Sequence, residues 1–200
     1  MKNPCFSSLA AAALGLSLAA LTGCTNLPFH PKPKPQPHPH PSAACTITDH
    51  GNPIPSHFTG TVGTTHKAHA ANHVVLVQSV DTGCCAQFDR IVFNIEGLHE
   101  PTYTIKYKQP PFSECGSGMN VPVSGHAWLD IRFKVAQTHT DAGQATVPNR
   151  INVNCSNLRR IDKLCDFESD VELVVSLDAK KPYRVVEIQD PTKLIIDIKH

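Results

Sequence analysis

The sequence has 200 residues, with 18 Lys+Arg against 17 Asp+Glu and a formal net charge of +1 at pH 7. A chain of this length holds one domain of ordinary size plus a tail, which excludes two full enzyme modules, and its balanced charge excludes nucleic acid as a partner attracted by bulk charge. The 17 Pro and 8 Cys, with only 18% charged residues, argue against a cytosolic helical bundle.

The N-terminus has the pattern of an export signal. A positively charged start is followed by an apolar run over residues 6–23, as in a secretory signal peptide. The run ends in Leu21-Thr22-Gly23-Cys24, which resembles the bacterial lipobox, where cleavage leaves an acylated cysteine as the mature N-terminus. We predict a lipoprotein signal peptide over residues 1–23 and a lipid on Cys24, with an ordinary secreted leader or an uncleaved anchor as alternatives.

This pattern also predicts where the protein resides. The rest of the sequence contains no apolar run of the ~18 residues that a membrane-spanning helix needs. We therefore expect an exported protein in the cell membrane or outer envelope, attached to the membrane through the lipid on Cys24.

Behind Cys24 the chain is rich in proline. Seven of the fourteen residues from Pro28 to Pro41 are Pro, which is typical of a polyproline-like spacer rather than of packed structure. We assign residues 24–72 to a disordered, lipid-anchored Pro/His-rich linker, with the part after Cys45 expected to be loop, and residues 73–200 to the folded domain.

Two groups of histidines have spacings that a metal site can use. They are His38 with His40 in the Pro-rich run, and His66, His69 and His73 at i, i+3 and i+7 on a potential helix face. A structural zinc site requires four convergent ligands on a rigid frame, and neither segment has the sequence of one. We predict no metal site and no cofactor, and keep a zinc-handling lipoprotein that uses the His-rich tether as the alternative function.

From about Val74 onward apolar and polar residues alternate, which is the period of a β-strand. The clearest run has Leu129, Ile131, Phe133 and Val135 on one parity. Similar alternation covers residues 91–95, 103–107, 171–177, 183–188 and 194–198. Strands with one apolar face need two sheets packed face to face. We predict an all-β fold, a β-sandwich of about seven strands, with an open barrel as the alternative.

Six cysteines remain once Cys5 leaves with the leader and Cys24 is acylated. They are Cys45, Cys84, Cys85, Cys115, Cys155 and Cys165. An even number in an exported protein predicts three disulfide bonds. Adjacent cysteines project in opposite directions along an extended chain, so Cys84 and Cys85 should take different partners.

The spacing also favours particular pairings. Cys155 and Cys165 are placed to staple a hairpin, which leaves the other four cysteines to form two bridges, one of them pinning the end of the linker to the sandwich. No CxxC pair is present, which argues against a zinc ribbon and a thioredoxin-type site.

Motifs of catalysis are missing from the sequence. It contains no HExxH, GxSxG, P-loop or GxGxxG pattern. The acid pairs Asp166/Glu168 and Asp170/Glu172 have i, i+2 spacing, which on a strand gives one solvent-facing edge rather than a glycosidase pair. We therefore predict that the protein is not an enzyme.

Several segments occur in the order of a known family. They are Phe88–Gly97, Tyr103–Tyr107, Gly116–Gly118, Val121–Gly125, Ala127–Phe133, Leu177-Asp178, Lys181–Val185 and Asp190–Ile198. The ordered series resembles the AMIN-like domain of exported actinobacterial proteins. The resemblance implies a β-sandwich related to the AMIN domain, which accompanies cell-wall amidases and pilus secretins and directs them to peptidoglycan or the envelope. The six cysteines and the His-rich tether depart from the family pattern.

The candidate ligand-binding residues lie in one predicted strand. Trp128, Asp130 and Arg132 share the parity opposite the apolar residues of that strand, and an aromatic face suits the axial C–H groups of a sugar ring. Tyr103 and Tyr107 have core parity in their own strand. We predict that Trp128, Asp130 and Arg132 contact peptidoglycan or a neighbouring envelope protein.

Overall fold

The structure, a computed structural model, describes residues 43–70 and 73–200. The predicted leader, Cys24 and the Pro-rich run lie outside these ranges. Within them a short 3-10 helix, Ala43–Thr46, precedes thirteen strands and no α-helix occurs. No helix in the described part of the chain has the length and apolar character to cross a membrane.

The strands follow one another in chain order. They are β1 (Thr48–Asp49), β2 (Asn52–Pro53), β3 (Thr65–Lys67), β4 (Val75–Cys84), β5 (Phe88–Ile95), β6 (Thr102–Tyr107), β7 (Ala127–Lys134), β8 (Ala136–Gln137), β9 (Arg150–Asn152), β10 (Leu158–Phe167), β11 (Asp170–Leu177), β12 (Tyr183–Ile188) and β13 (Lys193–Lys199).

Two main sheets form the domain. The first has six strands in the order β3-β6-β7-β11-β10-β9, and the second has five in the order β12-β13-β5-β4-β8. Within them only the β4–β8 pair is parallel, and β1 with β2 forms a separate two-stranded sheet. The predicted all-β sandwich is confirmed, with more strands than the seven expected.

The core lies between the two sheets and follows from the alternation of the sequence. Ile91 and Phe93 of β5 face Leu129, Ile131 and Phe133 of β7, and all five are fully buried. The rings of Phe93 and Phe133 meet edge to face with their centroids 5.0 Å apart. Each such burial contributes about 1.5–3 kcal/mol, so these side chains hold the sheets together.

The alternation fails at Val135, which we expected to point inward. Strand β7 ends at Lys134, and Val135 is 37% exposed with a φ of 56°, a conformation that β-branched residues disfavour. At this point the chain leaves the six-stranded sheet, and β8 joins the five-stranded sheet beside β4. The carbonyl of Val135 accepts a hydrogen bond from the amide of Val75 at 2.9 Å, so the kink is fixed by the neighbouring sheet.

The segment after Cys45 was expected to be loop, which holds for most of its described residues but not for the short strands β1, β2 and β3. Strand β3 pairs with β6 at the edge of the six-stranded sheet, and Thr61 exchanges two backbone hydrogen bonds of 2.8 Å with Tyr183 of β12. Phe58 is 8% exposed. These pieces are too short to show a period in sequence, and their order comes from contacts with distant strands. The folded part therefore extends to the N-terminal side of residue 73.

A buried ion pair ties this N-terminal segment to the five-stranded sheet. Arg90 is 1% exposed and binds Asp197 through Nε at 2.6 Å and through Nη2 at 2.9 Å. Its Nη1 donates to the carbonyl oxygen of Ala44 at 3.1 Å. Bidentate pairing offsets the desolvation of both charges, and the third bond holds the 3-10 helix against β5.

Candidate ligand-binding face

The outer face of the six-stranded sheet carries the residues predicted to bind ligand. Strand β7 lies between β6 and β11, and its residues 128, 130, 132 and 134 project away from the core. The register sets Asp130 between Lys106 of β6 and Val174 of β11. Arg132 lies between Thr104 and Glu172 in the same way.

The carboxyl group of Asp130 lies in a buried position beside Glu172, and this environment disfavours its ionised form. It is 4% exposed, and its Oδ1 atom has no hydrogen-bond partner. Burial, together with a hydrogen bond and the negative charge of Glu172, raises the pKa of Asp130 to about 6. Lys106 and Lys108 act in the opposite direction and do not cancel the effect.

Glu172 is the ionised partner of this acid pair. Burial by itself raises the pKa of Glu172. Hydrogen bonds and nearby cations outweigh this effect, the hydrogen bond from the Arg132 guanidinium most strongly, and keep the pKa of Glu172 below its usual value. Lys108 Nζ also contacts Glu172 Oε1 at 3.2 Å. Glu172 is only 7% exposed, so the expected solvent-facing position for this residue is wrong. It is covered because the long side chains of Lys108, just after β6, and Arg132 of β7 contact it.

These side chains surround a cleft, named here the Lys106 cleft. It has a volume of about 370 Å³. Its lining residues are Thr104, Lys106, Lys108, Asp130, Arg132 and Lys134. Four of the six are cations, so the cleft is electropositive and open to solvent on the face of the sheet.

Trp128 lies outside the lining of this cleft. It packs beside Phe112, Leu164 and Val174 in a small apolar cluster on the outer face, and its Nε1 donates to the carbonyl oxygen of Ser124 at 2.8 Å. The ring is partly buried, whereas we expected an open contact surface. The reason is the connection from β6 to β7, which folds over this part of the sheet and buries Phe112 to 1% exposure.

The structure joins all six predicted disulfide cysteines. The bridges are Cys45–Cys85, Cys84–Cys155 and Cys115–Cys165. The pairing of Cys155 with Cys165 expected from their spacing is wrong, because β10 carries Cys165 along the sheet toward the β6–β7 connection. Cys84 and Cys85 have different partners, and Cys45–Cys85 attaches the end of the linker to the sandwich.

The histidines of the described linker residues have other contacts. His66 lies in β3 rather than on a helix, and its Nδ1 is 2.9 Å from Thr104 Oγ1. His69 Nε2 is 3.0 Å from Glu187 Oε1. No group of three or more His, Cys, Asp or Glu that could hold a metal occurs among residues 43–70 and 73–200. His38 and His40 lie outside these ranges.

Sequence reasoning identified Asp130 and Arg132 but not the rest of the cleft. Lys106, Lys108 and Glu172 were visible only as polar members of their own alternating strands. Their common location depends on β6 and β11 flanking β7, and no local pattern states which strands are neighbours. The sequence signal that pointed to these lysines is their alternation with Tyr103, Ile105 and Tyr107, which places both on the outer face of the sheet.

Comparison with known proteins identifies one related family. A family model described as AMIN-like domain matches residues 75–200. The match covers every strand from β4 to β13 and therefore the whole of the Lys106 cleft. No significant match is found among curated proteins or among solved structures.

Proposed function

Because this chain belongs to the AMIN-like domain family, we propose that it is a non-catalytic, lipid-anchored cell-envelope protein whose sandwich binds peptidoglycan or another envelope protein. The AMIN-like domain indicates an extracytoplasmic, envelope-associated protein, and domains of this family are generally non-catalytic binding modules. The exported pattern of the N-terminus and the three disulfide bonds agree with that location.

The proposal assigns a role to each part of the chain. Residues 1–23 direct export, Cys24 carries the lipid, and the Pro-rich run up to Pro41 connects the anchor to the folded part. A proline-rich chain spans about 3.1 Å per residue, so the fourteen residues from Pro28 to Pro41 separate the domain from the membrane by up to about 43 Å. The folded part, which includes residues on the N-terminal side of residue 73, then reaches the wall.

The observation that supports a binding role is the Lys106 cleft. Its lining has four cations, Lys106, Lys108, Arg132 and Lys134, and one carboxyl group, Asp130. An anionic group that enters the cleft therefore meets an excess of positive charge. Peptidoglycan offers hydroxyl, amide and carboxylate groups, and Asp130 with Arg132 would contact them.

Sedimentation with purified sacculi tests the proposal. The full chain, oxidised and held in detergent, is mixed with sacculi at several salt concentrations and centrifuged beside an unrelated disulfide-bonded sandwich. We expect sedimentation above the control that weakens as salt rises, because surface charge contacts are screened. No sedimentation above the control at low salt contradicts peptidoglycan binding and leaves an envelope protein as the partner.

Charge reversal locates the binding face in the same assay. Lys106→Glu should reduce sedimentation several-fold, since it reverses the charge of a cleft residue. Lys193→Glu is the matched control, because Lys193 begins β13 in the other sheet. Equal loss in both variants would mean that only net charge matters.

A further inference from the structure

The Lys106 cleft contains one cation that no carboxylate neutralises. Three of its four cations have partners: Lys108 and Arg132 contact Glu172, and Lys134 Nζ lies 2.5 Å from Asp170 Oδ2. Lys106 is exposed, and among the residues that the structure describes it has no ion-pair partner. A free ammonium group inside a ring of other cations favours an anionic ligand.

The protonation state of Asp130, which lies beside Lys106, sets the charge that a ligand meets. Lys106 and Asp130 are direct partners across the β6–β7 register, so both side chains project to the same side of the sheet. When protonated, Asp130 is uncharged and gives its single O–H donor to Glu172. An anion beside Lys106 then meets no opposing charge from Asp130. A lysine and a neutral carboxyl group together favour a carboxylate over a cation.

We propose that the Lys106 cleft binds a carboxylate of the peptide part of peptidoglycan, with Lys106 as its counter-ion and the neighbouring Asp130 carboxyl group in its uncharged form. The assignment rests on the proposed function, because peptidoglycan supplies the ligand. The cleft volume of about 370 Å³ is at the lower end of the range for small-ligand sites. It therefore fits one peptide terminus rather than a glycan strand.

Binding of a carboxylate is linked to a proton in this arrangement. The charged groups that act on Asp130 are Glu172 on β11, Lys108 just after β6 and Lys106 on β6, and Arg132 on β7 binds Glu172. His66 on β3 contacts Thr104 of the cleft lining. A second negative charge in the cleft disfavours ionised Asp130, so the complex takes up a proton. Affinity should rise as the pH falls through about 6, the pKa of Asp130.

Calorimetry with muramyl dipeptide tests the assignment directly, because this molecule carries one free carboxylate. The full oxidised chain in detergent is titrated at pH 5.5 and pH 7.5 with the dipeptide, with its methyl ester and with inorganic phosphate. We expect the acid to bind roughly tenfold more tightly than the ester, as for one charge-assisted contact. We also expect tighter binding of the acid at pH 5.5 than at pH 7.5.

Variants separate the two partner residues. Lys106→Gln should weaken binding of the acid to the level of the ester, whereas Lys193→Gln in the other sheet should leave it unchanged. Asp130→Asn should bind the acid at pH 7.5 at least as tightly as the unaltered chain does, with no dependence on pH. His66→Gln should keep the pH dependence, since that dependence is assigned to Asp130.

Several results would overturn the inference. They are equal binding of acid and ester, binding of phosphate alone, or an unchanged pH dependence in Asp130→Asn. If the chain sediments with sacculi but does not distinguish acid from ester, the proposed function stands and only the carboxylate assignment fails. If it does neither, the carboxylate assignment and peptidoglycan binding both fail, and an envelope protein is left as the partner.

Discussion

Gly125 lies two residues before β7 and approaches the backbone of Leu177 at the end of β11. Its φ is 79°, and a Cβ atom added there would lie 2.3 Å from the carbonyl oxygen of Leu177. The same carbonyl accepts the amide of His126 at 2.8 Å. The left-handed backbone and the close approach both require glycine at this position.

Replacing Gly125 should therefore destabilise the domain through two effects. Gly125→Ala introduces left-handed strain of about 1–2 kcal/mol and a backbone clash, so we expect a loss of about 2–4 kcal/mol in the free energy of unfolding. Gly143→Ala is the control, because Gly143 has a φ of 78° but no atom within 4 Å of the added Cβ. Equal losses in denaturant titrations of the two variants would remove the clash from the explanation.

The raised pKa of Asp130 makes stability depend on pH. The unfolded chain ionises this carboxyl near 3.8, whereas the folded chain keeps its proton until about 6. The folded state therefore binds more protons between these values, and its stability falls as the pH rises through this window. The pKa of Glu172 is lowered, so its effect on stability has the opposite sign. The stability that Glu172 contributes is lost as the pH falls below the usual pKa of a glutamate.

Asp130→Asn should remove the first of these contributions. The variant keeps the shape of the side chain without a charge to bury, so at pH 8 we expect it to unfold about 1–2 kcal/mol less readily than the unaltered chain. The difference should vanish near pH 4. Urea titrations across this pH range measure it, with Asp141→Asn on an exposed turn as the control. A difference that grows toward low pH would contradict the assigned direction.

At the scale of elements, the N-terminal segment is attached to the sandwich by several independent contacts. The bridge Cys45–Cys85 joins it to the turn between β4 and β5. The buried guanidinium of Arg90 donates a hydrogen bond to the carbonyl oxygen of Ala44. Phe58 lies under the Arg184 guanidinium, with 4.3 Å between the ring centroid and Cζ. The segment therefore behaves as part of the domain, although its own sequence lacks strand periodicity.

Removing the bridge tests how much of this attachment is covalent. The double variant Cys45→Ser/Cys85→Ser should lose about 2–4 kcal/mol of stability, because the unfolded chain gains freedom. Hydrogen exchange should also become faster over residues 43–62, because the bridge attaches the start of this segment, at Cys45, to Cys85. The matched control, Cys115→Ser/Cys165→Ser, removes a bridge in the other sheet and should leave exchange over 43–62 unchanged. Protection that persists in the first variant would mean that side-chain packing alone holds the segment.

At the scale of the whole molecule, the proposed anchor separates two functions along the chain. In the proposed function, export and attachment depend on residues 1–24 and ligand binding depends on the sandwich. A family match that starts at residue 75 agrees with this separation, because the anchor is then an addition to the shared domain.

Fractionation tests the anchor independently of the domain. Cys24→Ser should move the protein from the membrane fraction to the soluble extracytoplasmic fraction and abolish incorporation of labelled palmitate, because the acylated sulfur is lost. Cys5→Ser is the matched control within the leader and should leave both measurements unchanged. Membrane attachment that survives in Cys24→Ser would favour an uncleaved leader as the anchor.

The sequence by itself determined the fold class and the common face of Asp130 and Arg132. Both depend on the two-residue period of a strand, which is a local property, and the alternating residues of β5, β7 and β11 display it over whole strands. Local patterns also predicted that Cys84 and Cys85 take different partners.

Only the tertiary structure decided which strands are neighbours and what covers them. The Lys106 cleft exists because β6 and β11 flank β7, and Trp128 is partly buried because a distant connection folds over it. The partners of Cys155 and Cys165 and the kink at Val135 likewise depend on contacts between residues far apart in the chain. Strand pairing and loop packing are set by the total burial and hydrogen bonding of the assembled sheets, so no short stretch of sequence specifies them.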